Sequence, residues 1–177
     1  MKLLTKNQLK ILAIVCMTID HIGAAFFPQA VWLRVIGRLA FPLFSYCIAE
    51  GCRYTRNKVR YFGSVFACGA VCVIAFLPFG GFCGNALITL SMSILLLYGM
   101  EAWKSSGKLR FLALTAALAA VFYLLCRTVY IDYGFAGVLL PVYAAAGRII
   151  WERVFAGIPP VIGERLGFAI GLLALAG

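Results

Sequence analysis

Charged side chains lie inside two apolar segments over residues 17–51, which read MTIDHIGAAFFPQAVWLRVIGRLAFPLFSYCIAEG. Asp20 and His21 lie within the first segment, where a charge costs roughly 2.5 to 3.5 kcal/mol on membrane-insertion scales. Arg34 and Arg38 open the second segment four residues apart, so they share one helix face, and Glu50 closes it. Ionisable groups in this setting predict a functional site that faces the interior of a helical bundle.

The chain is far more apolar than a soluble protein. It has 177 residues, of which 64% are hydrophobic and 12% charged, and its mean hydropathy is +0.99. Soluble domains carry about 25% charged residues. At about 20 residues per span, this length predicts an all-α, polytopic integral membrane bundle of about seven transmembrane helices. We expect a single transmembrane domain over residues 1–177 and no separate soluble domain.

Prolines, glycines and short basic loops divide the chain into seven predicted helices. They cover residues 8–27, 31–53, 61–77, 85–103, 111–126, 135–151 and 161–177. Pro28 and the PFGG run at 78–81 mark turns. Pro42 lies inside the second predicted helix and removes a backbone hydrogen bond there, so it predicts a kink.

The distribution of basic residues predicts the orientation. Of the sixteen lysines and arginines, thirteen lie in the N-terminal segment or in loops on the same side of the membrane. The three exceptions are Arg34, Arg38 and Arg127. By the positive-inside rule this distribution predicts a cytoplasmic N-terminus. This rule also accounts for the net charge of +10, so we expect no nucleic acid partner. The three exceptions share the outer half with other polar residues: Asp20, His21, Asn85 and Asp132. A polar cluster beneath the outer surface is therefore predicted.

The seven cysteines show no pattern of ligands or disulfides. Their number is odd, no C-x-x-C occurs, and a single histidine accompanies them. We therefore expect neither a disulfide framework nor a metal site.

Gly163, Gly167 and Gly171 recur at four-residue spacing in the last predicted helix. Such a stripe of small residues lets helices approach closely, either within the chain or between copies in a homo-oligomer. Packing within the chain is the more frequent use, and both alternatives stay open.

The predicted cluster could support proton transfer and anion binding. His21 can take a proton from a nucleophile and return it to a leaving group, and Asp132 or Glu50 could orient it from another helix. Arg34 and Arg38 suit a phosphate or carboxylate. In the structural alternative, Asp20 pairs with one of these arginines and His21 hydrogen-bonds a carbonyl.

Four blocks of the sequence resemble the TraX family of membrane proteins, which is named for a conjugative-plasmid protein that acetylates the N-terminus of pilin. They read IDHIGAAFFP, LRVIGRLAFPLFSYCIAEGCRYTRN, NALITLSMSILLLYG and DYGFAGVLLPVY. The first two blocks are specific, and the four blocks are spread over most of residues 6–143. Family members extend beyond the point where this sequence stops, so the resemblance implies a chain that is truncated or divergent at its C-terminus.

The resemblance implies an acyltransferase of the bacterial inner membrane. Acetyl-CoA from the cytosol would be the donor, and an acceptor at the outer side, such as a peptide N-terminal amine of a pilin, would receive the acetyl group. The implied catalytic residues are His21 and Asp20. The implied substrate-binding residues are Arg34, Arg38, Glu50, Asn85 and Asp132. Arg53 and Arg56 could attract the phosphates of the CoA donor, although Glu50 with these two arginines could equally hold a helix end together.

Two other classes of function remain open. A proton-coupled transporter of an anion or small molecule could use Asp20, His21 and Asp132 as a relay. A noncatalytic scaffold could use the glycine stripe to bind a partner.

Overall fold

The computed structural model describes residues 6–27, 29–80, 85–154 and 161–176. These residues form eight α-helices, which confirms the predicted all-α fold. The helices are α1 (Lys6–Phe26), α2 (Val31–Arg38), α3 (Ala40–Tyr54), α4 (Lys58–Gly80), α5 (Ala86–Ser106), α6 (Leu109–Thr128), α7 (Gly134–Val154) and α8 (Val161–Ala176). The turn expected at Pro28 and the cysteine Cys83 lie outside the described residues.

The second predicted helix is interrupted at Leu39, between α2 and α3. Pro42 has no backbone N–H, and its ring collides with the carbonyl group four residues earlier, that of Arg38. The backbone N–H of Leu39 instead bonds the Ile36 carbonyl at 3.1 Å, a tighter turn than the α-helical one. The interruption therefore lies where the proline disturbs the hydrogen-bond ladder.

The third predicted helix extends further than expected. It runs from Lys58 to Gly80 as α4, three residues beyond the predicted bound at each end, and it ends within the PFGG run. Pro78 is close to the end of α4, so its missing N–H leaves only one backbone carbonyl of the helix without a partner. The helix can therefore continue through this residue to Gly80.

Among the residues that the structure describes, five helical stretches are long and apolar enough to cross a membrane. They are Val31–Tyr54, Lys58–Ala75, Ala86–Ser106, Leu109–Thr128 and Gly134–Glu152. The chain is therefore an integral membrane protein. The expected total of about seven spans and the cytoplasmic N-terminus stay predictions.

The structure divides into two compact units, Met1–Ile48 and Ala49–Gly177. In the first unit α1 packs against α2. Gly23 permits this approach, because a Cβ at that position would lie 2.8 Å from the Leu33 Cβ. The expectation of a single domain over the whole chain stays a prediction.

In the second unit α5 is the central helix, with α4, α6 and α7 packed against it. Leu90, Ile94 and Leu96 of α5 are almost fully buried. Leu96 packs with Phe122 of α6 and Val138 of α7 in one hydrophobic cluster. These aliphatic side chains are buried because the three neighbouring helices surround α5.

The glycine stripe of α8 packs against α7 within the chain. A Cβ at Gly167 would lie 3.0 Å from the Gly147 Cα, and a Cβ at Gly171 would lie 2.8 Å from a methyl group of Leu140. Glycine is therefore required for this contact between helices. A homo-oligomer through Gly163, Gly167 and Gly171 stays a prediction, and it would have to accommodate this packing.

Candidate functional site

Asp20 of α1 and Arg34 of α2 form an ion pair in the first unit. The Arg34 Nε lies 3.5 Å from the Asp20 Oδ1, which is longer than a hydrogen bond. That Oδ1 atom is buried and accepts no hydrogen bond from the described residues. The pair is thus held by charge, with capacity left on the carboxylate for a donor from a ligand or water.

Gly37 allows the Asp20 carboxylate to reach Arg34. A Cβ at this position would lie 2.6 Å from the Asp20 Cα and 2.7 Å from its Oδ1, which are distances that real Cβ atoms do not show. The glycine in the R-x-x-G-R motif is therefore the residue that lets α1 cross α2 at Asp20. The sequence contains this glycine, but only the helix crossing shows its purpose.

His21 is exposed and hydrogen-bonds its own helix. Its Nδ1 lies 2.8 Å from the carbonyl oxygen of Met17, one turn earlier. A carbonyl oxygen can only accept, so Nδ1 carries a hydrogen. The structure therefore gives the arrangement of the structural alternative, in which Asp20 pairs with an arginine and His21 bonds a carbonyl. In the neutral ring with this bond, Nε2 is the atom that can accept a proton.

Arg38 is exposed and ends α2 one turn beyond Arg34. Both guanidinium groups thus belong to one short helix that also carries exposed Val31, Trp32 and Val35. Of the predicted site residues in the first unit, the structure brings Asp20 and Arg34 into a direct pair.

Asn85 has a structural role in the second unit. Its Oδ1 accepts from the backbone N–H groups of Leu87 and Ile88 at 3.0 and 3.1 Å, which caps α5. Its Nδ2 donates to the Gly69 carbonyl of α4 at 3.0 Å. The side chain therefore fixes the start of α5 against α4.

Asn85 and Asp132 meet at Thr89, which is fully buried. The Thr89 hydroxyl lies 2.6 Å from the backbone carbonyl oxygen of Asp132 and 3.4 Å from that of Asn85. The turn that carries Asp132 contains Tyr133 at φ 62° and Gly134 at φ 54°. A tyrosine in the left-handed region is uncommon. The buried hydroxyl thus helps to hold a strained turn that presents the exposed Asp132.

Glu50 is half-buried in α3, whereas Arg53 and Arg56 are exposed at and beyond its end. The Arg53 guanidinium lies 5.1 Å from the centre of the Tyr54 ring. These two arginines are accessible to an anionic ligand, as a donor-binding role requires.

Sequence reasoning missed a set of ion pairs that joins α4, α5 and α7. Lys58 lies 3.3 Å from the Glu101 Oε2, and the Arg148 Nη2 lies 3.9 Å from the Glu101 Oε1. Lys104 also pairs with Glu152. The sequence does place Glu101 and Glu152 near basic residues at the ends of predicted helices. No motif distinguished these two acids from other charged residues.

Comparisons with known proteins agree with the resemblance seen in the sequence. The family model described as TraX protein matches residues 5–155. A probable fimbrial assembly protein of Dichelobacter nodosus, serogroup H1, is 31% identical over 144 residues, which is 72% of this chain and 56% of that protein. A protein of Rickettsia prowazekii (strain Madrid E) described as uncharacterized is 50% identical over 56 residues, which is 31% of this chain and 22% of that protein.

The chain thus spans little more than half of the fimbrial assembly protein and under a quarter of the rickettsial one. No solved structure matches it. The family match covers residues of both structural units and the first relative is 31% identical over 72% of this chain, so the chain belongs to the TraX protein family.

Proposed function

We propose that this protein is an acetyltransferase of the bacterial cytoplasmic membrane. It takes an acetyl group from cytosolic acetyl-CoA and transfers it to an acceptor at the outer side, an amine of a pilin-type peptide being the best candidate. The observation that carries the proposal is the hydrogen bond of His21, whose Nδ1–H is bonded to the Met17 carbonyl, so that in the neutral ring Nε2 is the atom that can accept a proton. The fimbrial relative supports a pilus component as acceptor.

In the proposed reaction the acceptor amine attacks the thioester carbonyl carbon. A new C–N bond forms and the C–S bond breaks, so the amide and the thiol of CoA are the products. The His21 Nε2 takes the proton that the amine loses and returns it to the leaving sulfur. Because the number of protons is conserved, no further reactant is required.

Asp20, Arg34 and Arg38 bind and position rather than transfer protons. Asp20 lies 3.5 Å from Arg34, which holds that guanidinium near α1, and Arg38 is exposed on the next turn. A guanidinium can donate two hydrogen bonds to a carboxylate or carbonyl of the acceptor. Glu50, Asn85 and Asp132 are further candidate contacts for the substrate. Arg53 and Arg56 are candidates to attract the phosphates of the donor.

The test is release of CoA thiol and transfer of radiolabelled acetyl from acetyl-CoA by the purified, detergent-solubilised protein with a pilin-type N-terminal peptide. His21→Ala should lower the rate by about a hundredfold to ten-thousandfold, which is the usual contribution of a general base. Thr18→Ala is the matched control, because Thr18 lies on the same helix, is exposed, and makes the same kind of local bond, to the Ile14 carbonyl at 2.9 Å.

Equal turnover by His21→Ala and the wild type would remove the proposed role of this residue. Uptake driven by a proton gradient in vesicles, without CoA release, would instead identify a transporter. Partner capture that Gly167→Leu abolishes, with neither activity in the wild type, would identify a scaffold.

A further inference from the structure

A second site for anions lies where α4, α5 and α7 come together in the second unit. We propose that Lys58 and Arg148 bind a phosphate group of the CoA donor and that Glu101 competes with this phosphate for the two cations. The inference rests on the proposed function, since it names the binding site of the same donor. It concerns residues that no family motif in the sequence singled out.

The first observation is the unusual state of Arg148. Its side chain is buried, with the residue only 4% exposed, and its Nε has no hydrogen-bond partner among the described residues. Buried polar groups are normally hydrogen-bonded, and an unsatisfied donor in a native protein requires an explanation. A guanidinium has five N–H donors and matches phosphate geometry. A phosphate ligand would provide the missing acceptors.

The second observation is the weakness of the contact between Arg148 and Glu101. The Nη2 and Oε1 atoms are 3.9 Å apart, whereas a charge-assisted hydrogen bond is about 2.7 to 2.9 Å long. Glu101 is 30% exposed at its side chain, so it can swing toward solvent. Its carboxylate thus partly balances the positive charge of Arg148 without using the guanidinium donors.

The third observation is that Lys58 is held in position to complete the site. Its Nζ lies 3.3 Å from the Glu101 Oε2 and 5.2 Å from the centre of the Tyr98 ring. The Tyr98 hydroxyl also donates to the Lys58 backbone carbonyl at 3.0 Å. Glu101 therefore lies between two cations, and a phosphate that replaced it would meet both of them.

The neighbouring pair of Lys104 and Glu152 serves as an internal comparison. These two side chains contact each other directly, so each charge is already matched. Lys58, Glu101 and Arg148 instead comprise two cations and one acid, and the excess positive charge favours an anion. By the predicted orientation all of these residues lie on the cytoplasmic side, where acetyl-CoA is available.

The experiment measures CoA binding to the detergent-solubilised full-length chain by calorimetry. Lys58→Gln and Arg148→Gln should each raise the Kd for CoA about tenfold to a hundredfold, which is the effect of one lost charge-assisted hydrogen bond. Glu101→Gln should lower the Kd several-fold, since it removes the competitor. Lys108→Gln removes one positive charge outside the proposed site and should change the Kd by less than about twofold.

The Kd is expected to rise in Lys58→Gln and Arg148→Gln but to fall in Glu101→Gln. A general loss of folding could not produce these opposite changes. If Arg148→Gln is not monodisperse on size exclusion, Lys58→Gln and Glu101→Gln decide, because both side chains are partly exposed. CoA binding that is equal in the wild type, Lys58→Gln and Glu101→Gln would overturn the inference.

A wild type that binds no CoA would contradict the proposed donor rather than this site. Inorganic pyrophosphate then serves as the probe at constant ionic strength. Weaker pyrophosphate binding by Lys58→Gln than by Lys108→Gln would sustain the anion site, and equal binding by these two variants would overturn it.

Discussion

The carboxylate of Asp20 depends on two residues of α2 for its place in an apolar helix. Arg34 supplies a positive charge 3.5 Å away, and Gly37 supplies the space in which the two helices meet. Loss of Arg34, or of the space at Gly37, would leave the Asp20 carboxylate without its partner in an apolar setting. The free energy cost of that unpaired charge exceeds the stabilisation that the ion pair provides. The spacing of this arginine and glycine is therefore a requirement of the crossing between α1 and α2.

Gly37→Ala should destabilise the protein by about 1 to 3 kcal/mol, the usual cost of inserting a methyl group into a close contact. The new Cβ would collide with the backbone of Asp20 and force α1 away from Arg34. The midpoint of thermal unfolding in detergent measures the change. Gly63→Ala is the matched control, since a Cβ there meets nothing within 4 Å. Equal midpoints for the two variants would contradict a tight crossing at Gly37.

The packing of α5 against α7 depends on buried hydroxyl groups. Thr89 donates to the Asp132 carbonyl at 2.6 Å, and Ser93 lies 2.8 Å from the Val138 carbonyl. Val138 lies one residue beyond Gly137, whose carbonyl loses its helical partner because Pro141 has no N–H. In membrane helices such hydroxyl groups satisfy backbone carbonyls near a proline. Thr89 and Ser93 of α5 thus hold α7, the helix that contains Pro141, in place.

Ser93→Ala should lower the stability by about 1 kcal/mol, within the range measured for hydrogen bonds between membrane helices. Its hydroxyl is fully buried and can donate to Val138 or to the Thr89 carbonyl, which lies 3.1 Å away. Chemical or thermal unfolding of the purified protein checks this value. Ser64→Ala is the control, because the exposed Ser64 hydroxyl bonds only the Arg60 carbonyl of its own helix. A larger loss in the control would refute the contribution assigned to the α5–α7 contact.

Local sequence features predicted the helices well, and contacts between distant helices less so. Apolar runs and turn residues placed most helix ends within a few residues, because span length and backbone breakers act locally. The Asp20–Arg34 pair was among the predicted alternatives, since both residues stood out in apolar surroundings. The contact between Glu101 and Arg148 could not be predicted, because it depends on which helices become neighbours. Asn85 similarly stood out as polar, although its role as a cap required knowledge of α4.

At the scale of the whole molecule, basic residues are distributed unequally between the two ends of the predicted spans. Arg34, Arg38 and Arg127 lie on the end that is predicted to be outside, and the other basic residues lie on the opposite end. Both proposals depend on this polarity. His21 must meet an acceptor at the outer side, while Lys58 and Arg148 must meet a cytosolic donor. A measurement of orientation therefore tests the two assignments together.

New cysteines at the two ends provide that measurement. Ser106→Cys at the end of α5 should react with a charged, membrane-impermeant maleimide only after cells are opened, because its loop holds Lys104 and Lys108. Tyr130→Cys, at a residue that is 72% exposed, should react in intact spheroplasts. The wild type is the control: its described cysteines lie within helices, where a charged reagent reacts slowly. The reverse pattern would place Lys58 and Arg148 outside the cell, away from CoA, and would refute the donor site while leaving the ion pairs themselves unchanged.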